Sequence, residues 1–176
     1  KNEILYEIAD GSLDLSVKGK YKNIILCAQP KSASLYMRQL LAEVFNYKSE
    51  VIGLEGKNGN IYYPRAVAVK NLKYNTVSHC HSSPTPETIK ILKLLNFRPV
   101  ILTRNLLDSL VSRKDMLLRD KWAGNILSND AMKAFISGSD EYQLDLIISL
   151  FAPGYINFYV GWKHYEDNDN NLLRPI

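Results

Sequence analysis

The chain has 176 residues, one domain's worth, and its 46% hydrophobic and 23% charged residues are globular proportions that exclude a disordered tail or a fibre. A net charge of +4 suits anionic ligands but is too small and too dispersed for a nucleic-acid-binding surface, so no nucleic-acid partner is expected. The longest apolar runs, such as Leu146–Ile147–Ile148, fall far short of the roughly 18 residues that span a bilayer, and no signal-peptide core opens the chain. Two cysteines, Cys27 and Cys80, read as free thiols rather than a disulfide scaffold. The expectation is a cytoplasmic protein with no membrane span. Because the first residue is Lys1, it is also expected to be a piece of something longer.

Residues 1–20 are mixed and polar and read as a peripheral helix or arm. Asn23–Ala28 is a short apolar run rich in β-branched residues, the pattern of a buried parallel strand stopped by Gln29–Pro30. A small polar loop, Lys31–Ser34, leads into a helix with Met37, Leu40, Leu41, Val44 and Phe45 at helical spacing. From 50 to 78 the chain reads as irregular or β, with a turn at Asn58–Gly59–Asn60 and short strands at Ile61–Tyr63 and Ala66–Val69. Another strand, Thr76–Ser78, runs into His79–Cys80–His81.

Thr85 then makes an N-cap, with Pro86 at the first helical position and Glu87 in the first turn, for a helix running to about Asn96. Val100–Thr103 is a second buried strand with Arg104 at its carboxyl end, followed by a helix over about 107–120. Beyond 120 the chain reads as helical. One helix covers Asn129–Ile136 and ends at Gly138; a longer one is capped by Ser139–Asp140–Glu141 and broken or kinked at Pro153–Gly154. Leu172–Ile176 reads as the start of a strand. The alternation of strands and helices predicts a single α/β domain, a P-loop-like three-layer fold whose mostly parallel central sheet is flanked by helices.

Two places can carry chemistry by their position alone. The loop Pro30–Ser34 follows a buried strand and opens a helix, where free backbone N–H groups and the helix dipole favour an anion. Lys31 adds a charge there, and Ser32 and Ser34 add hydroxyls. A G-x-x-x-x-G-K-[ST] loop and a G-x-G-x-x-G fingerprint are both absent, which speaks against a Walker-type ATP site. Arg104, at a strand end, offers a planar fork for phosphate oxygens, and Ser112 lies eight residues on. The His79–Cys80–His81 cluster is too tight in sequence for a structural zinc site, and no metal is expected.

Read together, Cys27–Ala28–Gln29–Pro30–Lys31–Ser32–Ala33–Ser34–Leu35–Tyr36 resembles the P-K-S-G-T-T-W loop of PAPS-dependent sulfotransferases. Thr103–Arg104–Asn105–Leu106–Leu107–Asp108–Ser109–Leu110–Val111–Ser112 resembles that family's R-N-P-x-D-x-x-x-S segment. Asn157–Trp162 is similar to the family's helix before the next strand, and the resemblance covers roughly residues 22–176. It implies that Lys31, Ser32 and Ser34, with the backbone N–H groups of Ala33 and Leu35, hold the 5′-phosphosulfate of PAPS (3′-phosphoadenosine 5′-phosphosulfate). Arg104 and Ser112 would hold the 3′-phosphate. Adenosine 3′,5′-bisphosphate would be the product.

The departures are Ala33 for Gly, Ser34 for Thr, Tyr36 for Trp and Leu106 for Pro. Ala33 is tolerable if that residue needs no positive φ. The family continues with a further strand and a Gly-rich basic loop, so the domain 1–176 is expected to lack its C-terminal part.

Sulfonate transfer needs a base for the acceptor hydroxyl and positive charge at the leaving group. Lys31 suits the second role. For the first, Ser78–His79–Cys80–His81 stands where many family members carry K-T-H, with His81 matching the histidine and His79 the lysine. Residues two apart in a strand share a face, so both histidines are expected in one cleft. His79 and Glu55 are the reserve bases; some glycan sulfotransferases place a glutamate downstream of the loop lysine. Tyr62, Tyr63, Trp122, Tyr155, Phe158 and Tyr159 are candidates for an acceptor pocket, though core packing is the simpler role for most. The basic run Arg113, Lys114, Arg119 and Lys121 reads as a solvated face.

The expected function is sulfonate transfer from PAPS to a hydroxyl acceptor, a small molecule or a glycan. The alternatives are a P-loop-type nucleotide or small-molecule kinase, or a non-catalytic nucleotide-binding member of the fold.

Overall fold

The computed structural model describes residues 22–52, 74–120 and 127–168. Strand β1 (Asn23–Ala28) is buried along its whole length, as an apolar run without alternation requires of a central parallel strand. It is followed by α1 (Ser34–Phe45), β2 (Lys48–Val51), β3 (Thr76–Cys80), α2 (Pro86–Leu94) and β4 (Phe97–Leu102). Three more helices complete the described chain: α3 (Leu106–Asp120), α4 (Asn129–Ser137) and α5 (Asp140–Asn168). The strands form one parallel sheet in the order β2-β3-β1-β4, with Cys27 opposite Cys80 and Ala28 opposite Leu102. The protein is therefore an α/β fold of the expected P-loop-like kind.

Alternating side chains of β1 serve two layers. Ile24, with Val77 and Val100, packs against Leu41, Ala42 and Phe45 of α1. Ile25 and Cys27, with Cys80 and Phe97, pack on the other face against Ile89 and Leu92 of α2 and Phe158 and Trp162 of α5. Each fully buried aliphatic side chain there contributes about 1.5–3 kcal/mol, so this sandwich holds the strand ends in place. A second core joins Leu110 and Leu117 of α3, Met132 and Phe135 of α4, and Ile147 and Tyr155 of α5. Helix α5 thus ties the sheet to the helical cluster.

Several expectations change on the structure. Helix α5 runs unbroken through Pro153, which lies inside it. Its flanking turns are pinned by buried Ile147 and Tyr155, so tertiary packing outweighs the lost backbone hydrogen bond. By length and composition the Asp140–Tyr165 stretch would suffice to cross a membrane, although the raw apolar runs did not point to it. In the fold this helix instead buries Ile147, Tyr155, Phe158 and Trp162 in the two cores.

Strand β4 starts at Phe97 and includes Pro99. Among the described residues it is an edge strand, where a residue without an N–H is tolerated. Helix α1 is rotated from its expected face. Leu40 and Val44 are exposed, and the stripe against the sheet carries Ser34 and Ala42. The expected elements at 1–20, 61–69 and 172–176 lie outside the described residues.

Candidate functional site at the carboxyl ends of the strands

The parallel sheet aims the carboxyl ends of β1, β3 and β4 at one side, and the sequence-predicted site residues among those described sit at these strand ends or on the segments that follow them. Gln29 organises the floor. Its backbone N–H donates to Leu102 O (2.8 Å), its Nε2 donates to Ser109 Oγ (3.0 Å), and its Oε1 accepts from the Arg104 N–H (3.4 Å). One buried amide therefore locks the β1 loop to the end of β4 and the start of α3.

The loop itself is tight. Ser32 donates both its N–H (3.2 Å) and its hydroxyl (2.6 Å) to Gln29 O, so this buried serine closes the loop. Lys31 and Ala33 both take the left-handed conformation, at φ 70° and φ 60°. Ala33 does need a positive φ, against the condition under which its replacement of glycine would be harmless. A side chain in that region costs about 1–2 kcal/mol. In return, Ala33 caps α1 with no side-chain hydrogen bond, and Met37 N–H is the first to bond back, to Ala33 O (3.0 Å). The N–H groups of Ser34, Leu35 and Tyr36 precede it at the positive end of the helix dipole.

Charge concentrates around this turn. Burial first, then the cations Arg113, Arg119 and Arg104, hold the Lys31 pKa below its ordinary value; Asp120 pulls the other way. Asp120 itself is bonded to Arg119 Nε (2.7 Å). Arg104 donates from Nη1 to Lys31 O (3.1 Å) and sits 3.9 Å from the Asp108 carboxylate. Lys31 and three arginines set against two carboxylates, Asp108 and Asp120, leave the turn net positive, a setting that an anion relieves. Ser112 is half-buried on α3, one residue before Arg113.

The histidines differ in their wiring. His81 Nδ1 lies 2.7 Å from Ala28 O. A carbonyl oxygen only accepts, so Nδ1 carries the proton and Nε2 keeps a lone pair. Burial chiefly lowers the His81 pKa; the Ala28 carbonyl raises it and Arg113 lowers it further. His79 Nδ1 lies 3.0 Å from Arg38 Nη1. A guanidinium only donates, so here Nδ1 accepts. Burial, then Arg38, then His81, pushes the His79 pKa down to about 4. The two rings stand edge to face with centroids 5.9 Å apart, so His79 and His81 are neighbours at the end of β3. His79 is therefore a poor reserve base, since its basic nitrogen is taken by Arg38. Glu55, the other reserve, lies outside the described residues, as do Tyr62, Tyr63, Trp122 and Lys121.

Helix α5 secures the segment beyond His81. Trp162 Nε1 donates to Ser82 O (3.2 Å), and a methyl group on Gly161 would come within 2.8 Å of the Pro84 ring. Among the described residues, no three His, Cys, Asp or Glu side chains gather as a metal site would need. Cys27 and Cys80 are buried free thiols with their sulfurs 3.8 Å apart. A groove of about 590 Å³ between α2 and Tyr165, lined also by Pro86 and Lys90, shares no residue with this cluster.

No protein-family model matches the chain, and no curated protein matches it in sequence. Among solved structures, mouse sulfotransferase SULT7A1 complexed with PAP is similar at a TM-score of 0.55 and 17% identity. The match covers 93% of this chain and 54% of that one, so the chain spans about half the length of the sulfotransferase. Shikimate kinase from Acinetobacter baumannii in complex with shikimate superposes more loosely, at a TM-score of 0.41 and 14% identity, over 90% of this chain and 99% of that one. At such identities the first likeness establishes the fold.

Two residues in the cluster escaped the sequence reading. Arg113, expected on a solvated face, is half-buried, donates to Tyr155 Oη (3.3 Å) and stacks 4.7 Å from the Phe151 ring centroid. Its spacing one turn beyond Ser109, which bonds Gln29, was the available signal. Lys114 from the same run is also no surface residue; it is buried and paired with Asp140. Arg38 was missed because the expected apolar face of α1 put it outside. The aromatic candidates Tyr155 and Phe158 are core residues, and Tyr159 is exposed.

Proposed function

We propose that the protein is a PAPS-dependent sulfotransferase acting on a hydroxyl acceptor, a small molecule or a glycan, with His81 as general base. The observation that carries this reading is the meeting of a net positive helix turn without a side-chain cap and a histidine whose Nε2 keeps its lone pair. The donor set fits a nucleotide with phosphates at two positions. The N–H groups of Ser34 and Leu35, with Lys31, suit the 5′ end, and the Arg104 fork and Ser112 suit the 3′-phosphate. Ser32 contributes by closing the loop, and Ala33 by shaping it.

When bound, PAPS would supply the sulfonate group and depart as adenosine 3′,5′-bisphosphate, the ligand that accompanies the sulfotransferase neighbour. The rest is the work of this chain. His81 Nε2 takes the acceptor's proton while its Nδ1–H stays on Ala28 O, which fixes the ring and steadies the cation that forms. Lys31, partly withdrawn from water, faces the charge that develops on the leaving side. Arg113 lowers the pKa of both Lys31 and His81, so its charge is felt at the donor turn and at the base alike.

Calorimetric titration with adenosine 3′,5′-bisphosphate tests the assignment. Each charge-assisted contact is worth about 1.5–3 kcal/mol, so Lys31→Ala and Arg104→Ala should each weaken binding about tenfold or more. Binding of ATP with magnesium in place of the bisphosphate would assign the chain to the kinases instead. Tight bisphosphate binding with no turnover of any hydroxyl acceptor would leave a nucleotide-binding module.

A further inference from the structure

Helix α1 turns Arg38 inward. Ser34 and Ala42, one turn to either side of it, are both buried against the sheet, so Arg38 lies on the same stripe and reaches the end of β3. There its Nη1 meets His79 Nδ1 at 3.0 Å. This contact decides the tautomer of the ring beside His81. With Nδ1 accepting from a group that never gives up its charge, the neutral imidazole must carry its proton on Nε2. His81 is wired the opposite way by Ala28 O, with its proton on Nδ1 and Nε2 bare. The neighbouring rings therefore offer one N–H donor and one lone pair.

We infer that Arg38 is a positioning residue that holds His79 as the Nε2–H tautomer, so that His79 and His81 together form a donor–acceptor pair for an alcohol. The hydroxyl oxygen accepts from His79 Nε2–H, and its proton points to His81 Nε2. With the other His79 tautomer, both rings would present lone pairs and the oxygen would have no donor. The assignment of the alcohol as sulfonate acceptor rests on the sulfotransferase reading; the tautomer does not. The charged and titratable groups around His79 are Arg38 from α1, His81 beyond β3, and Glu50 of β2, which acts on Arg38. Burial first, then the Arg38 guanidinium and the neighbouring His81, keep His79 neutral across the physiological range.

Nitrogen-15 NMR of the imidazoles reads this directly, on wild type, Arg38→Met and Arg38→Lys, with phenol as the alcohol probe. Wild-type His79 should show a protonated Nε2 and a bare Nδ1. Arg38→Met, which keeps bulk but loses the donor, should mix the two tautomers, and Arg38→Lys, a cation that also only donates, should restore the first. Phenol should perturb Nε2 of both histidines in wild type and of His81 alone in Arg38→Met, with affinity about 3- to 10-fold weaker, the value of one hydrogen bond.

A wild-type His79 protonated on Nδ1 overturns the inference without any variant. So does an Arg38→Met protein with unchanged tautomer and unchanged phenol response, or a wild type whose histidines ignore phenol. Titration with adenosine 3′,5′-bisphosphate separates the two claims. A wild type that fails to bind it while showing the wired tautomers sinks the sulfotransferase reading and leaves the pair standing. One that binds it but lacks the tautomers does the reverse.

Discussion

In the helical cluster of α3, α4 and α5, chain ends are finished as side-chain chemistry dictates. Ser128 Oγ accepts from Ala131 N–H and Ser139 Oγ from Tyr142 N–H, both at 3.2 Å, and apolar residues at helical spacing fill the space between. At the carboxyl ends of β1 and β3 the same rules are broken one after another. Lys31 and Ala33 sit at positive φ, α1 begins without a side-chain cap, and Arg38 Nε is buried without a hydrogen-bond partner among the described residues. His79 is held far from its ordinary pKa. Folded proteins keep strain of this kind where the surrounding structure over-determines it, and where it positions groups for a ligand. The first region stabilises the molecule; the second gives up part of that stability to a net positive turn and a half-buried pair of histidines.

The contrast can be broken from either side. The largest expected effect is on turnover. His81→Ala should lower the rate of sulfonate transfer by about 10²–10⁴, the usual contribution of a positioned base, while leaving bisphosphate affinity within about twofold. A matching loss of affinity would mean that His81 holds the nucleotide rather than the proton.

In the other region, Phe135→Ala should cost about 3–5 kcal/mol in chemical denaturation through the cavity it opens, with bisphosphate affinity of the folded protein unchanged. If affinity fell too, the helical cluster and the site would be one cooperative unit.

Acidification comes next. His79 titrates near its ordinary 6.5 when unfolded but near 4 when folded, so the unfolded chain binds more protons in that window. Its contribution is present above pH 6.5 and is lost as the pH falls towards 4; because the ring is only half-buried and solvent screens it, the loss is about 1–2 kcal/mol, and His79→Gln should abolish it in melts recorded against pH. An identical acid profile for wild type and variant would mean that the ring is not held neutral by its surroundings. The smallest effect is at the loop. Ala33→Gly relieves a left-handed side chain and should raise stability by up to about 1 kcal/mol, visible as a higher melting temperature. A lower one would show that the Ala33 methyl group packs usefully.

The local signals carried much of this structure. Unbroken apolar runs marked β1 and the second half of β4; β1 is covered on both faces and has no polar alternation to disguise it, whereas the first half of β4 is interrupted by Arg98 and Pro99. The Thr85–Pro86 start of α2 and the Ser139 start of α5 depend on atoms within four residues, and they formed as the sequence implied. Lys31, Arg104 and His81 were legible because each follows a strand end, and the strand ends of a parallel sheet face one side.

What the sequence did not reveal depends on distant partners. The roll of α1 about its axis is set by β1 and β3, and with it the burial of Arg38. The persistence of α5 through Pro153 is set by two cores that grip it on either side. The tautomers of His79 and His81 are chosen by Arg38 and by Ala28 O, which lie 41 and 53 residues away along the chain. A proton's place on an imidazole follows from what the opposite nitrogen touches, and only the folded chain brings those atoms within reach.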